Sequence, residues 1–224
     1  GTDCCAILRD CMARRSKKCP LCDARTAKRH CPAKSATICS VCCGTKREVE
    51  IDCPSDCVHL RKCRSYEAER GAQQGPVSEN RRFDERFLYQ NAQLIATVAE
   101  AVLEERAGSP SMVDRDATEA FSALIATLKT LSTGLYYETL PEGGPVASAL
   151  FRRIKSLLDE LMKPPEAPGR RALRVSEAQE VFDFMIQTSD FHSNGRPKSR
   201  RYLDWLRTMV PEAPEQEQSR LIVP

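Results

Sequence analysis

The chain has 224 residues, with 34 Lys and Arg against 31 Asp and Glu, 12 cysteines and 6% aromatic residues. That length allows one medium domain with its own core plus a small module that needs a further source of stability. No run approaches the roughly 18–20 consecutive apolar residues of a membrane span, and the N-terminus lacks the basic, apolar and small order of a secretory signal, so a cytoplasmic protein with no membrane span is expected.

Taken from the first residue, "GTDCCAILRDC" precedes Met12, from which "MARRSKKCPLC" leads into the cysteine-rich region. A start at Met12 is the expectation, which makes residues 1–11 an upstream extension and leaves Cys4, Cys5 and Cys11 without a role. The competing reading is a third metal site that uses them with Cys63 or His59.

Residues 12–63 form the next segment, and eight cysteines fall between Cys19 and Cys57. In a reducing cytosol such spacing points to metal ligands rather than disulfides. Zinc takes four tetrahedral ligands, and two cysteines a few residues apart let one turn of backbone present both sulfurs to one ion. Three such pairs occur: Cys19 with Cys22, Cys39 with Cys42, and Cys53 with Cys57, with Cys31 and Cys43 between them. Two zinc ions per chain follow from the count. Adjacent residues in an extended stretch point to opposite sides, which favours different ions for Cys42 and Cys43. An interleaved arrangement then places Cys19, Cys22, Cys39 and Cys42 on one ion and Cys31, Cys43, Cys53 and Cys57 on the other. The alternative is serial, the first four cysteines on one ion and the last four on the next. Gly44 suits a tight turn beside a ligand, and Lys46 and Arg47 suit the excess negative charge of thiolates or a solvated basic face.

"CPLC", then "CPAK", then "CSVCC" resembles the start of a zinc-HIT finger, a cross-brace treble-clef module, over about 25 residues. On that resemblance Cys19, Cys22, Cys31, Cys39 and Cys42 carry over as ligands. Lys34 stands where such a finger has cysteine, and "CPSDC" where it has histidine and cysteine. Over more of the chain, "ICSVCCGTKREVEIDCPSDCVHL" followed by "ATLKTLSTGLYYE" resembles an uncharacterised group of bacterial cysteine-rich proteins, which implies no activity.

Residues 64–78 are polar and end in Gly71, Gly75 and Pro76, the composition of a linker or a fraying helix. Beyond them residues 79–210 read as an all-α helical bundle. Phe83, Phe87, Leu94, Ile95, Val98 and Val102 predict a first helix over about 78–107. Ala117, Phe121, Leu124, Leu128, Leu131 and Leu135 predict a second, with Asp114 or Asp116 as N-cap and "PEGGP" closing it. Pro145 opens a third, with Val146, Leu150, Ile154, Leu157, Leu158 and Leu161 inward and "KPPEAPG" as its stop. Ser176 to Gln179 reads as a capping box for a fourth, with Phe182, Met185 and Ile186 inward. A fifth, from about Ser199 to Val210, contributes Tyr202, Trp205, Leu206 and Met209. Residues 211–224 form a tail.

The fold class expected is therefore a small metal-stapled finger followed by an all-α domain. Catalysis has weak support: there is no phosphate loop, nucleophile elbow or metalloprotease helix, and four-thiolate sites leave no position for water. His30 and His59 read as surface residues, and His192 as an inert loop histidine. The iron–sulfur reading lacks the bacterial run of closely repeated cysteines, and thiol redox chemistry would fall to Cys63. Residues 12–63 carry 12 basic against 5 acidic residues, whereas residues 64–224 carry 21 against 24. Eight thiolates with two divalent ions reduce the first excess from +7 to +3, weakening a nucleic-acid inference that "RRSKK" and "GRPKSRRYLDWLR" would otherwise support. A protein–protein interaction or scaffold role, with a protein partner, is the function expected; DNA or RNA binding is the alternative.

Overall fold

The computed structural model describes residues 17–72, 83–134, 137–164 and 171–210. The chain divides between Gly75 and Pro76 into two compact units. The 1–11 extension with Cys4, Cys5 and Cys11, the Gly75–Pro76 end of the linker, Leu135, most of "KPPEAPG" and the 211–224 tail lie outside the described residues.

The N-terminal unit combines, in its described residues, a small hairpin with two helices. An antiparallel hairpin joins β1 (Arg29–Cys31) to β2 (Ala36–Ile38), pairing Arg29 with Ile38, His30 with Thr37 and Cys31 with Ala36. A single 3-10 turn over Pro32–Lys34 connects the strands, ending on Ser35 in the left-handed region at φ 47°. A short helix, α1 (Ser40–Thr45), follows, and α2 (Val58–Ala72) closes the unit. Helix α2 occupies the first part of the stretch expected to be a linker. Besides cysteines, Ile38, Ile51 and Leu60 are the buried apolar residues among those described here. They gather around the sulfurs, so the thiols themselves form the centre of this unit.

The second unit consists, in its described residues, of helices α3 (Glu85–Gly108), α4 (Asp114–Ser132), α5 (Pro145–Met162), α6 (Val175–His192) and α7 (Arg201–Met209). Helix α4 packs against α5, α6 and α7, and α3 against the same three. Most predicted stripes turn inward: Val98 and Val102, Phe121 and Leu124, Leu150 and Ile154, Phe182 and Met185, and Tyr202 and Leu206 share one core. Phe121 stacks on Phe182 with ring centres 5.8 Å apart.

The helix starts differ from the sequence reading in informative ways. The N-cap of α4 is Val113, whose amide donates to Asp116 Oδ2 at 2.9 Å. Asp114 is buried instead, accepting from Ser199 Oγ at 2.6 Å and from the Leu203 amide at 3.1 Å, because the start of α7 offers donors that bulk water cannot replace there. Helix α6 starts earlier than the Ser176 box: the Arg174 amide donates to Glu177 Oε2, placing Ser176 in the first turn. At the "PEGGP" break Gly144 sits at φ 95°, the left-handed region that glycine enters without a Cβ clash, and Pro145 opens α5 as expected. His192 is no loop residue; it ends α6 and stacks on Trp205 at 4.1 Å. Met209, expected inward, is exposed in the last turn of α7.

Candidate metal centre

The "CPLC" stretch forms a knuckle. The Cys19 amide donates to Arg25 O at 2.8 Å, and the Cys22 and Asp23 amides both return to Cys19 O. Asp23 takes the left-handed conformation, φ 48°, that closes the turn. "CSVC" does the same job with a helix: Cys39 is the N-cap of α1, and its sulfur accepts from the Cys42 amide at 3.3 Å. A two-residue spacer suits both because a turn and a first helical turn each bring residues i and i+3 to one side.

These two pairs meet. The sulfurs of Cys19, Cys22, Cys39 and Cys42 lie within 4.8 Å of one another, a group that could hold a metal ion, and Cys22 Sγ is 4.0 Å from Cys39 Sγ. With zinc–sulfur bonds of about 2.3 Å, a tetrahedron has sulfur–sulfur edges of about 3.8 Å. The grouping is the first of the two interleaved sets, and a serial grouping of Cys19, Cys22, Cys31 and Cys39 is not what the structure brings together.

Electrostatics support a cation among these sulfurs. Amides of Ala24 and Arg25 donate toward Cys22 and lower its thiol to about 6. Burial opposes ionisation of Cys19, but the amides of Cys39 and Leu21 hold it below its ordinary value. Burial, and then the neighbouring sulfurs of Cys39, Cys22 and Cys19, push Cys42 up to about 12. Four thiols this close cannot all ionise alone; a divalent cation removes the penalty.

The other four predicted ligands lie in the same buried cluster without reaching that mutual distance, and no second group of that tightness occurs among the described residues. Cys31 ends β1, Cys53 follows the Arg47–Ile51 bridge, and Cys57 precedes α2. Cys43 leaves Cys42 for a reason other than an extended backbone: both stand on α1, where successive side chains diverge by about 100°. Its sulfur lies 3.9 Å from Arg47 Nη2.

Gly44 is helical and supplies no tight turn. The left-handed residue in that region is Glu48, at φ 53°, which sequence reasoning missed. It is buried, and its carboxylate accepts from Arg64 Nη2 of α2 at 3.0 Å. Lys46 pairs with Glu50 at 2.6 Å. His30 is exposed on β1. His59, at the start of α2, is held below its ordinary value by burial and by Arg29, Lys62 and Arg47. The Cys63 thiol donates to Glu67 Oε1 at 3.2 Å.

No helix among the described residues is long and apolar enough to cross a membrane. Compared with known protein families, curated proteins and solved structures, the chain matches none. The residues alone therefore carry the functional argument, and the likeness to a zinc-HIT finger rests on its cysteines.

Proposed function

We propose that this is a non-enzymatic zinc-binding protein whose N-terminal unit is folded by metal and serves as a protein–protein interaction module of a cytoplasmic scaffold. The observation that carries the reading is the convergence of Cys19, Cys22, Cys39 and Cys42. An all-thiolate set of this geometry favours zinc and closes the coordination sphere, which suits a structural ion rather than one that activates water. Two ions per chain match the eight thiols from Cys19 to Cys57. The order of knuckle, hairpin and short helix supports a treble-clef description, as does the shared use of the "CPLC" and "CSVC" pairs.

Val58 and Tyr66 on α2, 60% and 57% exposed, and Val41 on α1, 44% exposed, are large apolar groups that a unit with so few buried aliphatic residues leaves in water. Apolar and aromatic groups on a metal-rigidified surface are anchors of the kind protein interfaces use. The test is affinity capture from the native host with zinc-loaded full-length protein. A protein partner retained by the wild type, lost from Cys39→Ser, and lost from a Val58→Asp, Tyr66→Asp variant that keeps its zinc, supports the reading. Capture that ignores both changes overturns it.

A nucleic-acid role has its own observation: Lys28, Lys34, Arg61 and Lys62 are all exposed on the same unit. That reading predicts a salt-dependent DNA or RNA shift that weakens when these four are neutralised.

A further inference from the structure

In the second unit a pocket of about 280 Å³ opens between α4, which contributes Glu119 and Ser122, and the connection to α5, which contributes Thr139, Leu140, Pro141 and Glu142. That volume falls just under the range of about 300–1,000 Å³ that small-molecule sites occupy, so it suits one side chain rather than a whole ligand. Hydrogen bonds to α4 fix the described part of the connection. The Thr139 amide donates to Thr127 Oγ1 at 3.0 Å, and Thr130 Oγ1 donates to Tyr137 O at 2.9 Å. Tyr137 and Leu140 are nevertheless 67% and 59% exposed. Apolar groups held in water on a fixed backbone lose little freedom when a partner covers them.

Glu119 gives the pocket its chemistry. Its Oε1 accepts from Arg115 Nε at 2.5 Å, whereas Oε2 is buried with no hydrogen-bond partner among the described residues. A buried carboxylate oxygen without a donor is costly and calls for an explanation. Gly143 makes the position possible, because a Cβ there would overlap Oε2 and lie 2.7 Å from Cδ of Glu119. The adjacent start of α5, where Gly144 supplies no side-chain cap, favours a negative charge nearby. The helix end accounts for where the carboxylate sits and leaves its missing donor unexplained. Glu142, exposed at the rim, adds a second negative charge.

We propose that this pocket receives an arginine or lysine side chain from a basic segment of a partner protein, its cationic head donating to Glu119 Oε2 and its aliphatic stem and apolar neighbours resting on Leu140 and Pro141. The head supplies the donor that Oε2 lacks, and a long basic side chain covers apolar surface with its stem while its charge reaches the carboxylate. Arg115 is 71% exposed and holds Oε1, which leaves Oε2 to the incoming cation. A phosphate backbone would meet two carboxylates here, so charge complementarity selects a basic peptide over nucleic acid. The site belongs to the second unit and stands apart from the metal reading of the first.

The probe is a capped leucine–arginine–leucine tripeptide, titrated into the isotope-labelled full chain and followed by amide shifts in NMR. Its citrulline counterpart, close in shape and uncharged, is the control. Shifts should saturate and centre on Ser122, Thr139, Leu140 and Glu142. The citrulline exchange, and separately Glu119→Gln, should each weaken binding at least about tenfold, the loss expected of one hydrogen bond between charged groups. Gly143→Ala should weaken it likewise while keeping the carboxylate, because the new methyl takes its place; Glu119 can swing away, so the helical circular dichroism should be unchanged. Absence of a localised shift, which would leave Oε2 to water alone, overturns the proposal. Equal binding of the citrulline peptide overturns it too, in a comparison that needs no variant to fold, as does binding that survives Glu119→Gln.

Discussion

Stripping the metal from the intact chain should unfold one unit and spare the other. Among the described residues of the N-terminal unit the buried apolar ones other than cysteine are Ile38, Ile51 and Leu60, each stabilising by about 1.5–3 kcal/mol. A structural four-ligand zinc site contributes on the order of 10 kcal/mol or more at neutral pH. One ion thus outweighs the aliphatic core, and its removal leaves buried thiols with neither water nor metal as partners. The C-terminal unit draws instead on a continuous core of large side chains, among them Phe121, Phe151, Phe182 and Tyr202. The assay is amide hydrogen exchange read by mass spectrometry, with and without a strong chelator under reducing conditions. Protection across residues 17–72 should collapse to that of an unfolded chain, while residues 83–210 exchange as before. Persistent protection of 17–72 after metal analysis shows complete removal would refute the reasoning. So would loss of protection in both units.

Asp114→Ala should destabilise the C-terminal unit by about 3 kcal/mol, because it strands the Ser199 hydroxyl and the Leu203 amide inside the protein; Asp116→Ala, which removes only the cap on the Val113 amide, should cost about 1 kcal/mol in the same thermal melts, and the reverse order would refute this account. Zinc affinity should climb with pH. Cys22, lowered to about 6, is mostly ionised at neutrality, whereas Cys42, raised to about 12, must give up its proton to the metal. Binding therefore releases protons, and competition assays at pH 6, 7 and 8 should show at least about a tenfold gain per unit; a flat profile refutes the assignment of Cys42 as a ligand. A chain starting at Pro76 should keep its helical circular dichroism and melt cooperatively without metal, and a non-cooperative melt would show that its core is incomplete.

The first sulfur group was legible because each of its pairs is local: a two-residue spacer places both sulfurs on one side whether the backbone turns or coils. Cys42 and Cys43 diverge as the spacing predicts, though on a helix rather than an extended stretch, since residue adjacency separates side chains in either geometry. Helical stripes in the second unit were legible for the same reason, periodicity being a local property. What escaped depends on partners far along the chain. Asp114 looked like a cap until Ser199 and Leu203, more than 80 positions away, are seen to claim its carboxylate. Nothing near Glu48 in sequence marks it for a left-handed turn and a buried pair with Arg64, and His192 gives no sign of Trp205.

The anchoring of α2 by Leu60 and by the Arg64–Glu48 pair has a mechanical consequence. Among its side chains Leu60 is the one large apolar group fully buried, and the rest of the helix shows no apolar stripe, with Tyr66 open to water. A helix of 15 residues with so little of its own to bury is marginal in isolation. As a helix it spans about 22 Å, and as an unfolded chain of the same length, with a radius of gyration of about 10 Å, its average end-to-end span is similar. On the metal-stapled reading, loading would therefore leave the average reach of this segment nearly unchanged and alter its stiffness, turning a fluctuating chain into a rod whose direction is fixed at the thiol-bearing end.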